Sequence, residues 1–192
     1  LKIAILSINL HTKKLNYGAI LHSWFFQRLM MQRSDVQCCD IIDYIPINYE
    51  NKNMRLLPLS GSSLKKPKLL ARNLLITIAH NIRYSRFERF IQSNIIKTEK
   101  QYSLEQLRTA ELPYDVVFFE SDVIWSPGYF GGDFDPAFFG AIDSMKSMRK
   151  IAYSASMANG RLSEQQKERL RELLKYPDAI SMRETYASEL VR

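Results

Sequence analysis

The chain has 192 residues, of which 46% are hydrophobic and 24% are charged, and these values are those of an ordinary globular protein. This length suits one well-packed domain and is short for two. The composition excludes a disordered chain, a collagen and a disulfide scaffold. The longest apolar stretch, residues 69–82, is interrupted by polar side chains and falls short of the ~20 apolar residues that span a bilayer.

The net charge of +7 is unevenly distributed, because much of the excess of basic residues lies between Lys52 and Lys100. Such a stretch is commonly the solvated face of a helix. It also suits attraction to phosphate groups on a small substrate, a lipid headgroup or a nucleic acid. The sequence alone leaves these alternatives open.

Two features indicate a cytoplasmic protein. The apolar run from Ile3 to Ile8 is too short for the core of a signal peptide. Cys38 and Cys39 are adjacent, and neighbouring cysteines rarely form a disulfide with each other, so they are interpreted as reduced thiols in a strand.

The first 45 residues predict a strand, a helix and a second strand. Residues 2–8 are a short apolar run, typical of a buried strand. Apolar residues then recur at helical spacing over residues 19–31, and residues 36–44 form a second strand pattern. This order is that of a βαβ unit in a parallel sheet. A helical excursion is expected around residues 65–100, in two segments at 68–82 and 85–95.

Predicted strands and helices continue to alternate from Ser103 to the end of the chain. Ser103 and Ser163 each begin a capping-box pattern that starts a helix. Buried strands are predicted at residues 114–119, 150–156 and 178–182. We therefore predict an α/β fold with a doubly wound, mostly parallel, Rossmann-like sheet.

Both ends of the sequence lack the usual signals of a domain boundary. The chain begins with Leu1, and Arg192 falls inside a helical pattern that has no glycine or proline stop signal. We expect residues 1–192 to be a single Rossmann-like domain and an amino-terminal fragment of a longer protein.

Ligands of an open parallel sheet bind beyond the carboxyl ends of its strands, and four groups of polar residues are predicted to lie there. Each group also has a purely structural interpretation, as a tight turn, a cap, close packing or an ion pair. No glycine fingerprint of a dinucleotide or P-loop site is present, which argues against a dinucleotide-dependent oxidoreductase. The groups are residues 16–19, residues 120–122 with Trp125, residues 153–156 and residues 181–184.

Taken together and in order, these groups resemble the polysaccharide pyruvyl transferase family. The amino-terminal half of that family has N-Y-G-A after the first strand, then G-S-D-x-V-W, Y-A-A-S-F-G and S-V-R-E on later elements. The corresponding positions here are 16–19, 120–125, 153–158 and 181–184. The resemblance spans nearly the whole chain.

The resemblance implies one lobe of a two-domain enzyme of the GT-B type, with its active site in the cleft between the lobes. Such enzymes transfer the enolpyruvyl-derived group of phosphoenolpyruvate to two sugar hydroxyls as a cyclic ketal, in the synthesis of exopolysaccharides and cell-surface polysaccharides. The acceptor is a sugar or a lipid-linked oligosaccharide. No cofactor or metal is implied. With the carboxyl-terminal lobe missing, the fragment is expected to be inactive alone.

The resemblance also implies roles for individual residues. Asp122 and Ser121 would orient or deprotonate a sugar hydroxyl as the catalytic pair. Arg183 would hold the carboxylate or phosphate of the donor. The remaining substrate-binding residues that it implies are Asn16, Tyr17, Gly18, Trp125, Tyr153 and Ser156.

Four positions depart from the family pattern. Glu120 and Ala158 replace glycines, and His22 and Val123 replace glutamines. Glu120 would add a negative charge close to an anionic donor, and the pattern leaves open whether activity is altered or lost.

Two alternatives to a pyruvyl transferase remain at this point. One is a glycosyltransferase of similar architecture that uses a nucleotide sugar. The other is a non-enzymatic module that binds anions through the basic residues from Lys65 to Arg89, on a membrane surface or a nucleic acid. We expect no nucleic-acid partner, and we expect a cytoplasmic location, with peripheral contact at the inner membrane face as an open alternative.

Overall fold

A computed structural model describes residues 1–11, 16–46, 67–120, 123–158 and 161–191. Its sheet has six strands: β1 (Lys2–Leu6), β2 (Cys38–Tyr44), β3 (Lys97–Tyr102), β4 (Val116–Glu120), β5 (Arg149–Ala155) and β6 (Ala179–Met182). The helices are α1 (Tyr17–Met31), α2 (Pro67–Asn94), α3 (Leu104–Arg108), α4 (Glu164–Leu173) and α5 (Thr185–Val191).

The strands are all parallel and lie in the order β3-β2-β1-β4-β5-β6. This is the order of a doubly wound, Rossmann-like sheet, and it confirms the fold class predicted from the sequence. The strand order reverses between β1 and β4. In sheets of this kind, ligands bind beyond the carboxyl ends of the strands at the point where the order reverses.

The alternation of side chains along β1 separates two cores. Ile3 and Ile5 face α1 and α2, whereas Ala4 and Leu6 face the side covered by α3 and α4. All four side chains are buried, as expected for a central strand with helices on both faces.

The helical excursion predicted around residues 65–100 is confirmed, but the structure differs from the prediction in two details. The structure has one continuous helix, α2, where two segments were expected. No glycine or proline occurs between residues 68 and 94, so nothing in the chain interrupts the helix. Strand β3 was not predicted, because its sequence is polar and it lies at the edge of the sheet, where only one neighbour covers it.

Both predicted capping boxes are confirmed. Ser103 accepts a hydrogen bond from the backbone of Gln106, and the Gln106 side chain accepts one from the backbone of Ser103. Ser163 and Gln166 make the same reciprocal pair at the start of α4. These contacts satisfy amide groups that have no partner inside a helix.

Candidate functional site

The candidate site lies at the carboxyl edge of the sheet, beside the point where the strand order reverses. The carboxyl ends of β1, β4, β5 and β6 lie there, and Ser23 of α1 contacts Asn9, which follows β1, and Glu120, which ends β4. Parallel strands place the residues that follow each strand at one edge, so groups far apart in sequence become neighbours.

A buried chain of hydrogen bonds joins β1, α1 and β4 at this edge. The Asn9 side-chain amide donates to Ser23 Oγ over 2.6 Å, and Ser23 Oγ donates to Glu120 Oε2 over 2.8 Å. The other carboxylate oxygen, Glu120 Oε1, is paired with His22 Nδ1. Glu120 is 0% exposed, so its charge is balanced within the protein and not by water.

This network changes the interpretation of two departures from the family pattern. His22 and Glu120 are 98 residues apart in sequence, and the structure pairs them directly. The hydrogen bond to Glu120 raises the pKa of His22, burial of the ring opposes the rise, and the charge of Glu120 adds to it while that of Arg183 lowers it. The negative charge that Glu120 introduces is therefore offset by a neighbouring histidine.

Tyr153 lies on the exposed side of the same network. Its ring stacks on Phe26 at a centroid distance of 5.0 Å and lies 6.4 Å from the imidazole of His22. The ring is partly exposed, so a ligand at the edge of the sheet could reach both side chains. The structure thus brings the predicted residue Tyr153 together with His22.

Ser156 and Arg183 follow the adjacent strands β5 and β6 and meet at one carboxylate. Ser156 Oγ donates to Glu184 Oε1 over 2.5 Å, and Arg183 Nε donates to the same oxygen over 3.2 Å. Among the described residues, Nε is the only guanidinium atom of Arg183 with a partner, so the ion pair with Glu184 leaves donors facing solvent. The buried oxygen Glu184 Oε2 also has no partner within the described ranges.

The backbone at the end of β5 is strained on both sides of Ser156. Ser154 and Ala158 have φ values of 55° and 59°, a region that costs a residue with a side chain roughly 1–2 kcal/mol. Ala158 occupies a position where the family pattern has glycine, and its backbone amide donates to Ser156 Oγ over 3.3 Å. Such strain is concentrated at functional sites, where the surrounding structure maintains it.

The amino-terminal end of α1 contains Asn16, Tyr17 and Gly18. The Asn16 side chain accepts from the amide of Ala19 over 3.1 Å and so caps the helix. The Tyr17 ring is exposed and makes an edge contact with Phe87 of α2. Gly18 was expected in a turn before the helix, but α1 begins at Tyr17 and Gly18 lies in its first turn.

Among the described residues, none requires a glycine at position 18. Within these ranges, a Cβ atom built there would meet only Asn16 Oδ1, at an ordinary contact distance of 3.6 Å. We therefore expect Gly18→Ala to raise the free energy of unfolding by about 0.5–1 kcal/mol, because alanine loses less backbone entropy in a helix. Urea denaturation checks this, and a loss of stability would mean that the backbone here is constrained in a way the structure does not show.

Trp125 requires a correction, since the resemblance implied that its ring packs against a sugar. The ring is 0% exposed and stacks on Phe139 at 4.6 Å. Its indole nitrogen donates to the carbonyl of Phe138 over 2.9 Å. Both the face and the polar atom of the ring are therefore used inside the protein, and Trp125 is a core residue.

The two residues expected to act as the catalytic pair, Ser121 and Asp122, lie outside the described residues. Their neighbours in the chain are placed, with Glu120 ending β4 in the hydrogen-bonded network and Val123 buried in the core. The roles of Ser121 and Asp122 stay predictions.

Sequence analysis missed a second polar cluster, centred on Asp43 of β2. Asp43 Oδ1 accepts from Gln101 over 3.1 Å and pairs with His11 Nε2 at 2.6 Å, while Oδ2 accepts from Lys97 over 2.5 Å. Burial alone would raise the pKa of Asp43, but these hydrogen bonds outweigh it and lower the pKa. An acidic residue near the end of an apolar strand was the one available signal.

The Asp43 cluster predicts a dependence of stability on pH. Since the pKa of Asp43 is lowered in the folded state, its contribution is present above the ordinary value of 3.8 and is lost as the pH falls below it. We expect Asp43→Asn to reduce the free energy of unfolding by about 2 kcal/mol at neutral pH and to flatten its decline toward about pH 3. Denaturation at several pH values checks this. The matched control is Glu168→Gln on α4, which should keep the acid decline.

The described residues contain neither a membrane-spanning helix nor a cluster of metal-binding side chains. No helix in the described part of the chain is long and apolar enough to cross a membrane. Within the same ranges, no group of three or more histidine, cysteine, aspartate or glutamate side chains is arranged to hold a metal ion. The expectation that the chemistry needs no metal or cofactor stays a prediction.

Comparison with known protein families identifies a match for this chain. A family model described as polysaccharide pyruvyl transferase matches residues 37–192, which is most of the chain. The matched range includes β2 through β6, whereas β1 and α1 precede it. No curated protein and no solved structure matches the chain significantly.

Proposed function

This chain belongs to the polysaccharide pyruvyl transferase family, and we propose that it transfers the enolpyruvyl-derived group of phosphoenolpyruvate to two hydroxyls of a sugar. The product is a cyclic pyruvate ketal on an exopolysaccharide or cell-surface polysaccharide, or on its lipid-linked precursor. The proposed location is the cytoplasm. We further propose that the active enzyme has a second lobe, in a GT-B-type arrangement, and that residues 1–192 supply one wall of its cleft.

The observation that supports this function best is that two basic side chains, Arg183 and His22, lie near each other at one edge of the sheet. Arg183 presents guanidinium donors beyond its bond to Glu184, and the pKa of His22 is raised through its hydrogen bond to Glu120. The two side chains are close enough for Arg183 to act electrostatically on His22. Phosphoenolpyruvate has a carboxylate and a phosphate, so two cationic groups suit its two ends.

The proposed transfer accounts for the protons of both sugar hydroxyls. The π electrons of the C2–C3 double bond take up a proton at C3, which becomes a methyl group, and C2 becomes an oxocarbenium-like centre. One sugar hydroxyl bonds to C2, and the second replaces phosphate there. One hydroxyl proton therefore balances the proton gained at C3, and the other leaves with phosphate. We propose that Asp122 and Ser121 orient or deprotonate an attacking hydroxyl.

The experiment uses the complete gene product. Phosphate release from phosphoenolpyruvate is measured with a panel of lipid-linked and soluble glycosides, and we expect release that depends on an acceptor. Arg183→Ala should lower kcat/KM by about 100-fold, because it removes charge-assisted hydrogen bonds to the donor. Arg171→Ala is the matched control, since Arg171 pairs with Glu168 on the surface of α4, and it should stay within about twofold of the wild type.

Two results would contradict the proposal. Absence of release with every acceptor, together with consumption of a nucleotide sugar, would indicate a glycosyltransferase. If Arg183→Ala and Arg171→Ala lowered kcat/KM equally, Arg183 would have no specific role in binding the donor.

We propose an anionic membrane surface as a further partner, bound through α2. Four large apolar side chains on this helix are exposed and share one side of it at helical spacing: Leu74, Leu75, Ile78 and Ile82. The exposed residues Arg72, Arg83 and Arg86 lie along one border of that side, and Arg89 continues it toward the end of the helix. An exposed apolar stripe bordered by cations is typical of a helix that lies in the headgroup region.

Vesicle co-sedimentation tests the membrane contact. We expect the protein to bind vesicles that contain phosphatidylglycerol and to dissociate from them as the salt concentration rises. It should not bind vesicles of phosphatidylcholine alone. Ile78→Glu should weaken binding about tenfold, whereas Leu190→Glu, on the exposed side of α5, should not. Equal binding to both kinds of vesicle, or to neither, would contradict this partner, and tighter binding to duplex DNA would replace it.

A further inference from the structure

We propose that Ser156 and Glu184 are positioning residues, which hold the guanidinium group of Arg183 in the orientation that binds phosphoenolpyruvate. Ser156 acts through Glu184, and Glu184 acts through Arg183. This inference rests on the proposed pyruvyl transfer, and it gives Ser156 an indirect role in place of the direct substrate contact that the family resemblance implied.

A single carboxylate oxygen connects the ends of two neighbouring strands. Ser156 Oγ, after β5, donates to Glu184 Oε1 over 2.5 Å, and Arg183 Nε, after β6, donates to the same oxygen over 3.2 Å. The sheet fixes the separation of these residues, because Ala155 pairs with Met182 and its carbonyl accepts from the Arg183 amide over 3.0 Å. The guanidinium group therefore cannot turn away without breaking its bond to a carboxylate that the end of β5 also holds.

The backbone at the end of β5 fixes the direction of the Ser156 hydroxyl. Ser156 is fully buried, and the Ala158 amide donates to its Oγ over 3.3 Å, which leaves the single hydroxyl proton for Glu184. Ala158 has a φ of 59°, in the left-handed region, and in this conformation its amide turns back toward Ser156. Glycine, which the family pattern has at this position, adopts that region without strain, whereas alanine stays there only because the surrounding contacts maintain it.

The carboxylate of Glu184 has no competing partner among the described residues. Within those ranges it accepts only from Ser156 and Arg183, and both bonds go to Oε1, since the buried oxygen Oε2 has no partner there. Hydrogen bonds to a charged group are the stronger kind, and two of them converge on this one atom. Without the Ser156 hydroxyl, the carboxylate would be attached only to Arg183, its neighbour in sequence.

Fixing Nε orients the rest of the guanidinium group of Arg183, because the group is planar and rigid. The side chain is 44% exposed, and its two terminal nitrogens have no partner within the described residues. These nitrogens form the fork that binds a carboxylate or a phosphate through two parallel hydrogen bonds. An arginine that is already held in place loses less conformational freedom when a ligand binds, so the ion pair should tighten the binding of phosphoenolpyruvate.

The direction of the change in KM separates positioning from simple repulsion between charges. Glu184 is negative and so is phosphoenolpyruvate, so a carboxylate that acted by charge alone would weaken binding, and its removal would lower KM. We expect the opposite in acceptor-dependent phosphate release by the complete protein. Glu184→Ala should raise the KM for phosphoenolpyruvate about tenfold and keep kcat within about twofold. Glu184→Gln should recover most of that loss, because its side-chain oxygen can still accept both hydrogen bonds.

Ser156→Ala tests whether the hydroxyl acts through Arg183. We expect it to raise the KM for phosphoenolpyruvate about fivefold in the wild type and to add no further loss in the Arg183→Ala background. The matched controls are Ser147→Ala, at an exposed position before β5, and Glu172→Ala, which removes an exposed ion pair with Arg169 on α4. Both controls should keep the wild-type KM. Thermal denaturation checks that each variant is folded.

The outcomes distinguish this inference from the proposed function. A wild type that releases no phosphate with any acceptor would overturn both. An active wild type whose KM for phosphoenolpyruvate is unchanged or lowered in Glu184→Ala would overturn the positioning role and leave pyruvyl transfer standing. An equal loss from Ser156→Ala with and without the Arg183 side chain would show that Ser156 contacts the substrate directly, and it would overturn the indirect role.

Discussion

The substitution Trp125→Ala is expected to lower the free energy of unfolding by about 3–5 kcal/mol, the usual cost of removing a large aromatic side chain from a core. The ring is fully buried, stacks on Phe139 and donates to the carbonyl of Phe138. Alanine would leave a cavity beneath the 127–139 segment and an acceptor without its donor. Trp125→Phe should cost less, because it keeps most of the ring and loses only the hydrogen bond and part of the volume.

Urea denaturation followed by circular dichroism measures both variants. Trp24→Ala is the matched control, because Trp24 is only partly buried on α1, and its loss should be smaller. If Trp125→Ala retained wild-type stability in the complete protein and instead weakened binding of the acceptor, Trp125 would be a ligand-binding residue, as the family resemblance implied.

The second large effect is expected at Glu120. Glu120→Ala should lower the free energy of unfolding by about 1–3 kcal/mol, because the buried hydroxyl of Ser23 loses its acceptor. The His22–Glu120 pair contributes less to the free energy of unfolding than a fully buried pair would. The His22 side chain is partly exposed, so water can replace the carboxylate as its partner. A double-mutant cycle of Glu120→Gln and His22→Gln should give a coupling energy of about 0.5 kcal/mol or more.

The coupling energy between Glu120 and His22 should fall as the pH rises. The pKa of His22 is raised in the folded state, so the stabilisation is complete below its ordinary value of 6.5 and is lost as the pH rises through the folded value. The cycle should therefore give a larger coupling energy at about pH 6 than at about pH 9. Equal coupling at both pH values would show that the two side chains interact without exchange of a proton.

Strand positions in the sheet were predictable because its central strands are short apolar runs. The patterns at residues 2–8 and 114–119 correspond to β1 and β4 within a few residues. β3 was missed for the opposite reason, since an edge strand with the sequence Lys-Thr-Glu-Lys-Gln-Tyr buries too little surface to leave an apolar pattern.

The candidate site was predictable only in part. The sequence placed Tyr153, Ser156 and Arg183 at the ends of neighbouring strands, and the structure brings them to one edge of the sheet. It could not show that His22 and Glu120 form a pair, because each was visible only as a separate departure from the family pattern. Nor could it show that Trp125 is buried, since a motif fixes the order of residues and packing decides which side chains reach a ligand.

The most direct test of pyruvyl transfer is the fate of the donor carbon in heavy water. The complete protein is supplied with phosphoenolpyruvate and its acceptor in D2O, and the purified product is examined by NMR. We predict a cyclic ketal whose methyl group contains one deuterium, because C3 takes its new hydrogen from a group in exchange with solvent. An enolpyruvyl ether that retains its vinyl hydrogens, or a phosphorylated acceptor released with free pyruvate, would contradict the account.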